Sequence, residues 1–211
     1  MSNIEMINYL KSIGAIKSKK VEEAFRAVDR ALFTQRNYNG SAYMDYPIPI
    51  TDGQTISAPS IVAIMLELLE LDEGHKVLEI GSGSGYNTVL LSYLVGEKGL
   101  VVSIEYLNSL YEIAKENISK FSFCKNVKLI NGDGSEGYPP NAPYDRIIVT
   151  AAMPYLKNHP LVKQLKKNGI LVAPVGNRYW QDLVVYKNNE EIHVLPVAFV
   201  PLRGKYGWQD F

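Results

Sequence analysis

Two acids and three glycines carry the most readable chemistry in this chain. Glu79 lies inside a short apolar run, Val77 to Ile80. Gly81, Gly83 and Gly85 follow at alternate positions, and Glu105 closes a second apolar run that begins at Leu100. Glycines let the backbone turn tightly and let a ligand approach it closely. A helix starting just after them presents unpaired N–H groups that favour an anionic group. An acid at the far end of the second run, 20 residues after Gly85, suits the adjacent hydroxyls of a ribose. Together these residue types point to a nucleoside-bearing ligand.

Two details discriminate among such ligands. The dinucleotide fingerprint is G-x-G-x-x-G/A. Here the third glycine, Gly85, comes one position early, and Tyr86 stands where Gly or Ala is expected. Glu79 would repel a pyrophosphate but can accept from an ammonium group. The E-x-G-x-G-x-G pattern resembles motif I of class I S-adenosylmethionine-dependent methyltransferases. Gly81, Gly83, Ser84 and Gly85 are then expected to line the cofactor site, with Glu79 orienting its methionine end directly or through the loop. The competing reading, a merely tight strand–helix turn, leaves both acids without a purpose.

The elements that must position these residues follow from periodicity. Val77 to Ile80 is too short for a helix and reads as a buried strand. Tyr86 to Val95 carries apolar residues at helical spacing and stops at Gly96, and Leu100 to Ile104 reads as the next strand. Upstream, Ile4, Ile7, Leu10 and Ile13 mark a helix. Ser18 is a candidate N-cap for a second helix with Val21, Ala24, Phe25, Val28 and Leu32 on one face. Phe33 to Ile56 is irregular and ends in Asp52 to Pro59, with Pro59 opening a helix capped by Ala58 or Ser57. Downstream come a helix from Asn108 to Phe121, a strand from Val127 to Asn131, and a strand from Ile147 to Thr150. Then follow a helix from Leu161 to Lys167 stopped by Asn168-Gly169, and a strand from Ile170 to Val175. A hairpin, Leu183 to Tyr186 and Ile192 to Val200, turns at Asn188-Asn189. The expected fold is α/β, a doubly wound, mostly parallel seven-stranded sheet with a C-terminal antiparallel hairpin and extra N-terminal helices. One methyltransferase domain is expected over residues 1–211. Residues 1–57 would supply the N-terminal helices and substrate-side loop, and residues 58–211 the Rossmann-like core.

Composition sets the outer bounds. The chain has 211 residues, enough for one domain with a real core. Lys+Arg and Asp+Glu both number 22, so no basic excess favours nucleic acid or an anionic membrane. The single cysteine, Cys124, allows no intrachain disulfide and fits a reducing compartment. No apolar run approaches the roughly 20 residues of a membrane span, and the N-terminus, interrupted by Glu5 and Lys11, does not read as a signal peptide. A cytoplasmic protein is expected, with no metal, no nucleic-acid or membrane partner, and a monomer as the default state.

Two further positions have both a functional and a structural reading. Ser57 sits where a helix begins; it could hold an anionic substrate, or it could be only an N-cap. Asp133 lies between Gly132 and Gly134 just past a strand end, on the side where open parallel sheets bind ligands. It could accept from an adenine amino group, or it could only stabilise its own turn. The histidines, His75, His159 and His193, fall at a turn, a helix start and a late strand, with no Ser-His-Asp set in view.

With these residues in place, the chain resembles the protein-L-isoaspartate (D-aspartate) O-methyltransferase family. The match runs from about Val28 to Leu202. It is carried by Tyr43-x-Asp45-x-Pro47, Gly53-Gln54-Thr55-Ile56-Ser57-Ala58-Pro59, the glycine motif and Gly132-Asp133-Gly134-Ser135. Pro143 to Ala152, Pro174-Val175-Gly176 and Phe199-Val200-Pro201-Leu202 complete it. The segment from Gln54 to Pro59 is the most particular. The resemblance implies methyl transfer from S-adenosylmethionine, giving S-adenosylhomocysteine, to the free carboxylate of L-isoaspartyl residues in damaged proteins and peptides. It implies Ser57 as the active-site serine. It places Gln54, Thr55, Ser84, Glu105, Asp133, Gly134 and Gln181 around the cofactor. Ser60 stands where family members commonly have histidine.

The same residues bear on three other readings. A methyltransferase acting on RNA or a small molecule is disfavoured by the neutral charge. The stretch Thr150-Ala151-Ala152-Met153-Pro154 also lacks the N/D-P-P-Y/F element of amino-group methyltransferases. A nicotinamide oxidoreductase is opposed by Glu79 and the early Gly85. A non-catalytic module binding damaged protein is opposed by the complete cofactor motif.

Overall fold

The protein is described by a computed structural model covering residues 1–35, 38 and 40–209. Arg36, Asn37 and Asn39, within the loop expected from Phe33 to Ile56, lie outside the described residues. So do Asp210 and Phe211, within the span given to the methyltransferase domain.

The chain runs α1 (Asn3–Ser12), α2 (Lys19–Ala27), β1 (Ile48–Pro49), β2 (Thr55–Ile56), α3 (Pro59–Leu68) and β3 (Lys76–Ile80). It continues α4 (Tyr86–Val95), β4 (Leu100–Glu105), α5 (Asn108–Ser119), β5 (Val127–Asn131), β6 (Tyr144–Val149), α6 (Pro160–Lys163), β7 (Leu165–Gly176), β8 (Gln181–Lys187) and β9 (Glu190–Val197). The main sheet has the order β5-β4-β3-β6-β7-β8-β9. It is parallel from β5 through β7, and β8 and β9 add antiparallel. β4 lies on one side of β3 and β6 on the other, so the winding reverses beside β3. Ligand crevices of open α/β sheets form at the carboxyl ends of strands at such a reversal.

Strand period and burial explain the layers. Val77 and Val101 face the α1 to α5 side, while Leu78, Ile80, Val102 and Ile104 face the opposite layer with Leu161 and Leu202. Val77, Leu78, Ile147 and Ile148 are fully buried; each such side chain contributes about 1.5–3 kcal/mol through burial. The same alternation puts Glu79, paired opposite Ser103, on the α4 face. At the N-terminus, Ser2 and Glu5 form a capping box, and Ser18 caps α2 through the Val21 N–H.

Several local expectations differ from the structure. α2 ends at Ala27, and Arg30–Phe33 forms a tighter 3₁₀ turn begun by Asp29, leaving Leu32 exposed. Ile4 and Ile13 are exposed as well, and α1 packs through Met6, Ile7 and Leu10. The helix expected from Leu161 to Lys167 is only Pro160–Lys163, and Asn168-Gly169 lies inside β7. The pairing of Leu165 with Tyr144 and the Lys166–Asp145 ion pair at 2.7 Å carry this stretch into the sheet. Gly169 is needed there for close packing, since a Cβ would sit 2.6 Å from the Leu165 side chain. β9 stops at Val197 rather than Val200. The irregular loop before α3 contains the β1–β2 ladder. It is tied down by Tyr43 Oη donating to Asp29 Oδ1 (2.8 Å) and Arg30 Nε donating to the Ala42 carbonyl (2.8 Å).

Candidate active site

The glycine loop leaves β3 at the winding reversal. Gly81 adopts φ +90°, and a Cβ there would lie 2.5 Å from Thr150 Oγ1. Thr150 at the exit of β6 donates from that hydroxyl to the Gly81 carbonyl (2.7 Å) and so holds the loop against the neighbouring strand. Gly85 is the N-cap of α4 with φ +86°, and a Cβ would meet the Ala114 backbone at 3.3 Å. A left-handed backbone and two close approaches explain why these positions carry no side chain.

The loop forms the floor of an open cleft at the carboxyl ends of the strands, where open α/β sheets bind ligands. Gln54, Thr55, Gly81, Gly83, Glu105 and Gly134 line it, beside the apolar walls Ile80, Ile104, Leu110 and Leu202. The Glu105 carboxylate is nearly buried. Its Oε2 accepts from the Gly83 N–H (2.9 Å) and its Oε1 from the Leu107 N–H (3.0 Å). Each oxygen keeps a second lone pair for a ligand hydroxyl. Gly134 leaves room at the apolar wall, since a Cβ would press on Ile80 Cγ2 at 2.7 Å.

A second recess continues from this cleft. Ser57 and Ser84 line it together with Ser82, Tyr86 and Asn87, and a third is lined by Ser57, Pro47, Ile61 and the 197–200 segment. Thr55 and Thr150 border all three spaces. Ala58 is the N-cap residue of α3, and no side-chain hydrogen bond caps that helix. The capping reading of Ser57 therefore fails, and its hydroxyl is left for the recess. Ser60 lies on the same turn, with its N–H donating to Asp45 Oδ1 (2.9 Å).

Glu79 does not line these spaces. It is fully buried, accepting from Asn87 Nδ2 (2.8 Å), Thr88 Oγ1 (2.5 Å) and Ser103 Oγ (2.5 Å). Burial raises its pKa above the ordinary carboxylate value, against the opposing pull of those three donors. It reaches the ligand side only through Asn87, which lines the second recess.

A sequence model described as protein-L-isoaspartate(D-aspartate) O-methyltransferase matches residues 1–207. The chain belongs to that family. A protein-L-isoaspartate O-methyltransferase from Pyrococcus abyssi is 50% identical over 97% of this chain and 95% of its own length. One from Methanopyrus kandleri is 44% identical over 97% and 92%. A solved protein-L-isoaspartate O-methyltransferase superposes with a TM-score of 0.87 at 33% identity, covering 97% of this chain and 67% of its own. A Plasmodium falciparum protein described by the same activity, in complex with S-adenosyl-L-homocysteine, superposes at 0.86 with 26% identity, covering 96% and 99%.

In this methyltransferase family member, two expected cofactor residues also hold neighbouring segments in place. Asp133 Oδ1 accepts from the Ser135 N–H (2.8 Å) and hydroxyl (2.7 Å), while Oδ2 accepts from the Lys205 N–H (2.8 Å). Gly204, φ +109°, passes so close that a Cβ would overlap the Asp133 carboxylate. Asp133 thus fastens the 203–209 segment, whose Arg203 lines the cleft. Gln181 spans the backbone of Phe199, donating from Nε2 to its carbonyl (3.2 Å) and accepting at Oε1 from its N–H (2.8 Å). It shapes the wall of the third recess from behind. Thr150, Tyr106, Leu107 and the 199–203 wall were not singled out from sequence as site residues. Tyr106 carries the one local signal, an aromatic directly after Glu105, and it is half exposed at the cleft.

The histidines lie apart from these recesses. His75 accepts from the Asp72 N–H, His159 caps α6, and His193 pairs with Asp182 at 2.9 Å.

Proposed function

We infer that this chain transfers the methyl group of S-adenosylmethionine to the free carboxylate of L-isoaspartyl residues in damaged proteins and peptides. Membership of the family carries the reaction. The observation that supports this division of labour is the junction at Thr55 and Thr150. A ribose-competent acid, Glu105, lies on one side and an uncapped serine hydroxyl, Ser57, on the other.

S-adenosylmethionine supplies an electrophilic methyl on a sulfonium. In our reading Glu105 accepts from the ribose hydroxyls, and Ile80, Ile104, Leu110 and Leu202 exclude water from the adenine. Gly81 and Gly83 let the donor's backbone-facing edge lie close. Gln54 and Thr55 close the cleft from above, and Ser84 and Gly85 begin the helix beneath the methionine end. Glu79 fixes Asn87. Gly134 sets the far wall, Asp133 beside it keeps a lone pair that can accept from the adenine amino group, and Gln181 sets Phe199.

An isoaspartyl residue exposes a carboxyl resembling an α-carboxyl, with a pKa of roughly 3.3–3.7. It is already ionised at neutral pH, so the chain has no proton to remove. Ser57 donates to one carboxylate oxygen and leaves the other facing the methyl. Its task is positioning, where proximity supplies about 7–11 kcal/mol of barrier lowering. Opposite charges cancel as the methyl moves, so a recess with apolar walls favours the transition state. The alternative of an RNA substrate finds no support in a formal net charge of zero. We read the partner as polypeptide and the acting unit as a monomer organised as one domain over residues 1–211. No helix among the described residues is long and apolar enough to cross a membrane.

The deciding experiment compares an L-isoaspartyl peptide with its normal aspartyl twin, using labelled S-adenosylmethionine. Label in the isoaspartyl peptide alone is expected. Equal labelling of both peptides, or of neither, would refute the assignment.

A further inference from the structure

The turn between β7 and β8 displays two aromatic side chains to solvent. Tyr179 is 96% exposed and Trp180 is 65% exposed. Single exposed aromatics need no explanation, but this pair sits on a rigid mount. Asn177 Oδ1 accepts from both the Tyr179 and Trp180 N–H groups at 2.8 Å, and the Asn177 N–H donates to the Trp180 carbonyl at 2.8 Å. Arg178 stacks over Trp208 at 5.9 Å, and Trp208 Nε1 donates to the Ala152 carbonyl at the β6 exit. The turn is therefore braced to the rim of the site.

Its place on that rim is set by sheet register. It leaves the carboxyl end of β7, the same end from which β3 and β6 deliver Gly81 and Thr150. Gln181 pairs opposite Val197 and grips Phe199 with both ends of its amide. Val197, Ala198 and Phe199 line the Ser57 recess. Trp180 is the next residue outward. At about 3.3 Å of rise per residue, it stands one residue beyond the strand position that grips that wall. A polypeptide substrate must continue past the recess on either side of its reacting residue.

We propose that Tyr179 and Trp180 form a substrate platform that selects an apolar or aromatic side chain flanking the isoaspartyl group. This rests on the function inferred above and adds a sequence preference to it. Rigid amphipathic rings bind flanking side chains with little loss of conformational freedom.

The test uses the full chain and paired isoaspartyl peptides of equal length, one with Phe or Leu at the flanking positions and one with Gly there. For the wild type, KM should be lower for the apolar flank by about three- to tenfold. Trp180→Ala, and more so the double change with Tyr179→Ala, should raise KM for the apolar peptide to that of the Gly peptide. kcat and S-adenosylhomocysteine affinity should stay within twofold, and Trp180→Phe should restore most of the preference. A merely structural role would shift both peptides alike and lower Tm. A wild type with no flank preference, or a preference that survives the double change, overturns the platform and leaves the methyltransferase reading standing. A wild type inactive on every isoaspartyl peptide overturns both.

Discussion

Glu105→Gln tests the cofactor assignment with the least change of shape. Both carboxylate oxygens are held by backbone N–H groups, Gly83 at 2.9 Å and Leu107 at 3.0 Å, in a nearly buried site. The amide replaces one oxygen by an NH₂, so one of those N–H groups meets a donor. One acceptor for a ribose hydroxyl is lost at the same time. A hydrogen bond to a charged group contributes about 1.5–3 kcal/mol. Losing one from the complex should weaken S-adenosylhomocysteine binding by about 10- to 150-fold. The orphaned N–H should cost the fold about 1–3 kcal/mol, a fall in Tm of roughly 2–12 °C for a chain of this size. Isothermal titration gives the first quantity and thermal melting by circular dichroism the second. A folded variant that binds within twofold of wild type would refute the role given to Glu105.

Ser57→Ala should lower kcat on an isoaspartyl peptide at least tenfold, about the value of one positioned hydrogen bond, with S-adenosylhomocysteine affinity within a few-fold; unchanged turnover removes Ser57 from the mechanism. Gly81→Ala places a Cβ 2.5 Å from Thr150 Oγ1 at φ +90°. Left-handed strain of roughly 1–2 kcal/mol plus the displaced Thr150 bond should lower Tm and weaken cofactor binding together, and a variant melting like wild type would contradict the close approach. His159 is buried, which holds its imidazole below the ordinary 6.5. Between that lowered value and 6.5 the unfolded chain binds more protons, so stability is full above 6.5 and falls as pH falls. His159→Asn keeps a helix-capping side chain and should flatten Tm against pH in that window; an unchanged slope assigns the acid sensitivity to other groups.

The cofactor floor was legible because its causes are local. A short apolar run, glycines at alternate positions and an acid after a second run specify strand, left-handed turn, helix and strand within 30 residues, and β3, α4 and β4 follow that pattern. The same short-range signals marked Pro59 as the start of α3 and Asn188-Asn189, both at positive φ, as the hairpin turn. They marked α6 wrongly, because β-pairing of Leu165 with Tyr144 and the ion pair of Lys166 with Asp145 join residues about 20 apart. Tertiary structure also decided what each polar group is free to do. Asp133 accepts from Ser135 and from Lys205, 72 positions away, and the Gln181 amide grips Phe199. Thr150 borders all three recesses because β6 lies beside β3 in space, whereas 69 residues separate it from Gly81 along the chain. Residue type and spacing declare which chemistry a segment can offer; hydrogen-bond partners brought in from distant strands determine which of those groups remain available to a ligand.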